Sequence, residues 1–210
     1  MPKSRSASEL HRDRAVSVIR DLVTSGVVSP GDRLVERTLS SELALSRVPV
    51  REALQVMVAE GFAAERPTGG VVVRQHTLDE VAELLDISHA LDAVAVRRLD
   101  QAGVAALLET TTAAGRALEA GDHAAAVRAN ADFHDVLLGA GSSVLREVST
   151  PIRARLRWLM EQHHDPRQMH REHLALIDAV AGGKAERITT VLDQHLATSR
   201  AALAARRSES

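Results

Sequence analysis

The chain has 210 residues, 45% of them hydrophobic, and a formal net charge of −2. That is enough apolar material to build a core in one large domain or two small ones, and the overall charge gives no hint of nucleic acid. With no cysteine, and with Phe62, Phe133 and Trp158 as its whole aromatic set, it excludes disulfides and thiolate metal sites and leaves a Leu, Val, Ala and Ile core that suits packed helices.

Residues 1–8 are polar and are expected to be disordered. From Glu9 to Ser25 the apolar positions Leu10, Val16, Ile19, Leu22 and Val23 recur at helical spacing. Gly26 and the SPGD stretch at 29–32 end that helix. A second short helix is expected over Leu34–Leu43, and a third from Ser46 to about Glu60, stopped by Gly61. Phe62–Arg66 and Gly70–Arg74 are short β-prone runs separated by Pro67, Thr68, Gly69 and Gly70, which predicts a hairpin. Three helices and a two-stranded wing make a winged helix-turn-helix over residues 1–76.

The third helix opens with SRVPVREAL, residues 46–54. Ser46 is the expected N-cap. Pro49 falls in the first turn, where a missing N–H breaks no intrahelical bond. Val50, Leu54 and Met57 form the core stripe, while Arg47 and Arg51 lie one turn apart on another face. Arginine binds guanine O6 and N7 with two parallel hydrogen bonds, or clamps a phosphate.

The stretch PGDRLVERTLSSELALSRVPVREALQVMVAEGF resembles the DNA-binding domain of GntR-type bacterial regulators. The matching elements include Pro30-Gly31, Glu36-Arg37, Ser46-Arg47 and Pro49-Val50-Arg51-Glu52-Ala53-Leu54. The resemblance implies DNA contacts from Arg37, Ser46, Arg47 and Arg51, with Val48 and Pro49 in the same stretch and Gly69 and Gly70 at the wing tip. Where the family most often has threonine this chain has Val48, which exchanges a hydroxyl contact for one suited to a thymine methyl.

After His76 the pattern is helical to the end. Helices are expected at about 77–100, 104–120, 122–139, 143–164, 167–181 and 184–206, with breaks at Gly121, 139–143, Asp165–Pro166 and Gly182–Gly183. Short connections between them describe an antiparallel bundle over residues 77–210. The fold class is therefore mainly α, a winged helix-turn-helix followed by an all-α bundle. No apolar run approaches the roughly 18 residues needed to span a bilayer. The N-terminus has no secretion signal, so a cytoplasmic location and no membrane partner are expected.

The bundle carries its own chemistry. Asn130 and His134 are four apart and share a helix face. His173 and His195 lie on the last two helices at similar depth from the Gly182–Gly183 turn. Three neutral imidazoles and an oxygen suit Zn²⁺, Ni²⁺ or Mn²⁺. The other histidines, His11, His76, His89, His123, His163, His164 and His170, read as surface or hydrogen-bonded groups, with His170 a spare ligand candidate.

Residues 77–210 resemble the FCD domain, the effector-binding half of one GntR subfamily. The marks are Asn130 and His134, Glu172-His173, and His195. The six-helix count resembles the VanR-like group. The resemblance implies that Asn130, His134, His173 and His195 hold a divalent metal that helps bind a small carboxylate. Asn130 stands where aspartate is often found, and Ser88 where an arginine often faces the effector. Arg153 and Arg157, on one face of the fourth bundle helix, are candidates to supply that anion contact. The expected protein is a homodimeric regulator, a repressor by default, whose grip on double-stranded operator DNA responds to a small organic acid. The alternatives are a metal sensor, or a histidine-metal enzyme with a DNA-binding appendage. Asp132 and Asp135 lie near the ligands but offer no coherent general base.

Overall fold

The structure is a computed structural model that describes residues 6–160 and 165–209. It divides between His76 and Thr77 into two compact units.

In the first unit, α1 spans Ala7–Thr24. It begins inside the segment expected to be disordered because a capping box holds it there. The Glu9 N–H donates to Ser6 Oγ at 3.2 Å, and the Ser6 N–H donates to Glu9 Oε2 at 2.7 Å. Next come β1 (Arg33–Leu34), α2 (Glu36–Leu43), α3 (Arg47–Ala59), β2 (Ala63–Glu65) and β3 (Val71–Val73).

The start of the second helix and the make-up of the wing are corrected here. Leu34 is not the start of the second helix. It belongs to a strand that pairs with Val71, so the wing is a three-stranded antiparallel sheet in the order β1-β3-β2 rather than a two-stranded hairpin. The physical reason is non-local. Pairing with β3 extends the backbone and buries the Leu34 side chain, and the extended Val35 delays the helix to Glu36.

Ser46 is the N-cap of α3, as expected, with one difference. It occupies the N-cap position with extended backbone, but its side chain makes no capping hydrogen bond. A serine cap takes the N–H of the second or third helical residue, and the third here is Pro49, which has none.

The turn between α2 and α3 passes through Ala44 at φ 51°, a left-handed conformation for a residue with a Cβ. Gly69 and Gly70, at φ 84° and 89°, make the hairpin tip. It closes with Arg66 N–H to Gly70 O and Gly69 N–H to Arg66 O, both 2.9 Å. Ile19, Val23, Val50, Leu54, Met57, Phe62 and Val73 are buried together in this unit. Each contributes roughly 1.5–3 kcal/mol of burial, which fixes how α3 is rotated and leaves its other face to solvent.

Among the described residues the second unit has six α-helices: α4 (Leu78–Ala95), α5 (Gln101–Glu119), α6 (His123–Gly141), α7 (Ser143–Met160), α8 (Pro166–Ala181) and α9 (Ala185–Glu209). A 3₁₀ turn, Val96–Arg98, follows α4. A Thr77–Glu80 capping box starts α4, and Asp100, Asp122 and Asp165 side chains cap α5, α6 and α8. The break expected across 139–143 narrows to Ser142, since α6 runs on to Gly141. His163 and His164 lie outside the described residues.

Apolar side chains fill two clusters. One is built on Leu107, Phe133, Leu137, Leu138 and Leu176, the other on Val81, Leu84, Leu85, Leu156 and Leu203. Against this background six of the buried polar residues stand out: Ser88, Asp92, Asn130, Glu172, His173 and Ser199.

Candidate functional site

All six of those buried polar residues except Glu172 line one cavity, together with His134, Arg153, Arg157 and His195. It encloses about 810 Å³, part of it open to solvent. α4 supplies Ser88 and Asp92, α6 Asn130 and His134, α7 Arg153 and Arg157, α8 His173, and α9 His195.

The three histidines converge. One ring nitrogen from each of His134, His173 and His195 lies within 4.8 Å of the others. Two carboxylates orient two of them. His134 Nδ1 is 3.0 Å from Asp92 Oδ2, and His195 Nδ1 is 2.8 Å from Glu172 Oε2. An ionised carboxylate only accepts, so each Nδ1 is the protonated nitrogen and each Nε2 carries a lone pair.

Those two Nε2 atoms face one another at 3.2 Å. Two facing lone pairs repel unless a positive centre, a proton or a metal ion, lies between them. Two nitrogens bound to one ion at about 2.1 Å would be separated by about 3.0 Å at a right angle and about 3.4 Å at the tetrahedral angle. The observed separation lies within that interval.

His173 is 2% exposed and neither ring nitrogen has a hydrogen-bond partner. Its ring stacks on Phe133 at 3.9 Å, interplanar angle 7°. Burial, then the nearby His134, His195 and Arg153, holds its pKa well below the ordinary value, so it is a neutral imidazole able to donate a lone pair. The Asn130 amide is oriented by its NH₂, which donates to Pro166 O at 3.1 Å. Its oxygen is left buried and without a partner. The donor set fits a divalent ion: three converging imidazoles, with carboxylates behind two of them, and the Asn130 oxygen lines the same cavity without a partner.

The carboxylates differ in environment. Burial raises Asp92 to about 6, against the pull of Arg153, His195 and His89. Burial also pushes Glu172 upward, but hydrogen bonds from His195, Thr198 and Gln168 outweigh it and leave the group below its usual range.

Beside the histidines, Arg153 reaches across from α7. Its side chain is 11% exposed. Nη1 lies 3.5 Å from Ser88 Oγ and Nη2 lies 3.4 Å from Ala131 O. Arg157 pairs with Asp132 at 2.8 Å and also with Asp135. Asp132 and Asp135 are thus occupied by arginine. His89 pairs with Asp193 at 3.2 Å, His76 Nε2 lies 3.2 Å from Gly61 O, and His170 is not part of the three-histidine group.

Sequence reasoning missed Asp92 altogether and the pairing role of Glu172. The signal for Asp92 was a lone acid in the apolar stripe Val81, Leu84, Leu85, Ser88, Asp92 and Ala95 of α4. No comparable signal marked the Phe133 stack.

In the first unit, Arg37 on α2 and Ser46, Arg47, Val48 and Arg51 at the start of α3 are at least partly exposed, as are Gly69 and Gly70. Val48 is 59% exposed. Pro49 is buried, so it shapes the helix start rather than presenting a surface. Arg51 Nε and Nη2 bind Glu36 Oε2 and Oε1 at 3.1 and 3.0 Å.

Residues 83–198 match the FCD domain family, and residues 11–73 match the family described as bacterial regulatory proteins, gntR family. The chain belongs to the GntR family of regulators. It is a DNA-binding transcriptional regulator with a helical FCD domain; this family and the relatives found are regulators, not enzymes.

Among its GntR-type relatives is the HTH-type transcriptional regulator BphR of Paraburkholderia xenovorans, 30% identical over 86% of this chain and 80% of that protein. The Nta operon transcriptional regulator of Aminobacter aminovorans is 26% identical over 80% of this chain and 82% of its own length. A solved GntR regulator from Rhodococcus sp. RHA1 shares the fold with a TM-score of 0.77, at 23% identity, covering 92% of this chain and 97% of that one. No helix among the described residues is long and apolar enough to cross a membrane.

Proposed function

We propose that this GntR-family regulator is a cytoplasmic, homodimeric repressor whose operator affinity is set by a small carboxylate bound beside a divalent metal. Residues 1–76 read double-stranded DNA through Arg37, Ser46, Arg47, Val48 and Arg51, with Pro49 stiffening the helix start and Gly69 and Gly70 bringing the wing close to backbone. Residues 77–210 dimerise and hold the ligands. Six α-helices in this unit support a VanR-like assignment. Repression is favoured by the gluconate operon transcriptional repressor of Bacillus subtilis, 33% identical over 41% of this chain and 35% of that protein.

The observation that carries the ligand reading is the pair of carboxylate-oriented imidazoles with Nε2 atoms 3.2 Å apart. His134, His173 and His195, with Asn130 Oδ1, would hold Zn²⁺, Ni²⁺ or Mn²⁺. Such an ion supplies a Lewis-acid anchor for a carboxylate. Arg153 takes the place of the family's arginine on α4, since its guanidinium reaches Ser88 from the opposite helix, and Arg157 lines the same cavity. The ligand changes operator affinity only by favouring one arrangement of the DNA-reading units over another.

The test is operator binding by the purified chain, after chelation, with each metal added alone and with a panel of small mono- and dicarboxylates. Affinity that changes only when metal and carboxylate are both present supports the reading. Affinity that follows metal alone would make the protein a metal sensor instead.

A further inference from the structure

Arg51 does not stand free on the surface of α3. It shares both oxygens of Glu36, at the first position of α2, through a two-bond fork at 3.0 and 3.1 Å. The pair is solvent-facing, with Arg51 63% and Glu36 28% exposed, so it contributes little to stability. Its geometry is more informative. A guanidinium has two edges that can each make a two-bond contact, one through Nε and Nη2 and one through Nη1 and Nη2. Glu36 occupies the first. The second, whose two N–H groups match guanine N7 and O6, is left for a ligand.

The Glu36 carboxyl is held below its usual range by the Arg51 hydrogen bonds, Arg51's charge and, behind them, Arg47. It also lies in the first turn of α2, where the helix dipole favours an anion. Glu36 therefore stays ionised at the start of its own helix, and the buried Leu39, Leu43, Val50 and Leu54 pack at the junction of α2 and α3.

We propose that Glu36 is a specificity-determining positioning residue. By holding one edge of Arg51, it aims the other edge at a single guanine and removes the rotamer freedom that would let Arg51 bind phosphate indiscriminately. This rests on the reading of Arg51 as a DNA contact. A consequence follows for charge. Glu36 places a negative group beside the DNA-reading surface, so it weakens non-specific binding while sharpening specific binding.

The experiment uses the full chain and a randomised duplex DNA pool, from which preferred half-sites are selected for wild type, Glu36→Gln, Arg51→Lys and Arg51→Ala. Binding to a scrambled duplex is measured at the same salt. A two-bond arginine–guanine contact discriminates by about 10- to 100-fold. Wild type should show a G·C position that Arg51→Ala and Arg51→Lys both lose.

Glu36→Gln, which keeps the shape but sets an NH₂ against an N–H, should lose at least about 5-fold of preference at that same position. It should also bind scrambled duplex at least as tightly as wild type. Unchanged preference in Glu36→Gln, where Arg51→Ala has lost it, overturns the proposal and leaves the Arg51 reading intact. Preference retained by Arg51→Ala overturns both. Tighter binding by Glu36→Gln with full preference would make Glu36 a lock on Arg51 rather than an aiming device, and also overturns it. The Arg51→Lys arm does not depend on Glu36→Gln folding well. If Arg51→Lys keeps the guanine preference without a fork, the two-edge argument is wrong.

Discussion

His173→Phe should stabilise the second unit when metal is removed and destabilise it, relative to wild type, when metal is supplied. The wild-type ring is 2% exposed, with two nitrogens that have no hydrogen-bond partner. Each unpaired buried polar atom costs about 1–3 kcal/mol. Phenylalanine removes both, keeps the stack on Phe133, and adds volume beside a cavity, for an overpacking penalty of about 1 kcal/mol. With the cavity partly open to solvent, the two atoms together cost about 2–4 kcal/mol, so the net expectation is a gain of about 1–3 kcal/mol, or a rise of roughly 3–10 °C in melting temperature.

With metal at about 1,000 times its Kd, wild type gains about 4.1 kcal/mol that the variant, short of one ligand, cannot match in full, so the order of stabilities reverses. The assay is thermal melting followed by tryptophan fluorescence, with and without chelator. Trp158 on α7 is the single tryptophan and the chain has no tyrosine, so the signal belongs to the second unit. A variant that melts below wild type by the same margin in both conditions would refute the reasoning, because the His173 nitrogens would then be satisfied without a metal.

Three further outcomes are expected. Asp92→Ala should weaken metal binding by about 10- to 100-fold while leaving the three ligands in place, measured by competition with a metal-binding dye; unchanged affinity would remove Asp92 from the site. Ser46→Ala should lower stability by no more than a few tenths of a kcal/mol in wild type, but by about 1 kcal/mol in a Pro49→Ala background, where the missing N–H is restored; equal effects in a denaturant double-mutant cycle would show that Pro49 does not suppress the cap. Ala44→Gly should raise stability by up to about 1 kcal/mol, since it relieves a left-handed residue at an exposed position, less the entropy of a freer unfolded chain; a loss in urea unfolding would mean the turn does not need that conformation.

Much of this was legible from periodicity. The stripe Val50, Leu54 and Met57 announced the buried face of α3, and the spacing of Asn130, His134, His173 and His195 announced a shared focus. These are local signals, or helices measured from one turn. What was not legible depends on partners distant in sequence. Two residues of β1 cannot look like a strand until Val71 and Val72 lie beside them. Ser46 looked like a cap because the serine was visible and the lost donor belonged to Pro49. Asp92 stands out as an acid in the apolar stripe of α4, but its role comes only from His134, 42 residues later. Arg51 was legible as an outward arginine, but its partner Glu36 sits on another helix.

The convergence of α6, α8 and α9 on one point has a topological meaning. An ion bound there would tie His134 to His173 and His173 to His195, closing loops of 39 and 22 residues. By the chain-entropy relation for covalent cross-links, loops of that length restrict the unfolded chain by about 3–4 kcal/mol each. In a protein without a cysteine, the site is then the counterpart of a staple, one that a chelator opens and a metal salt closes without any change in redox conditions.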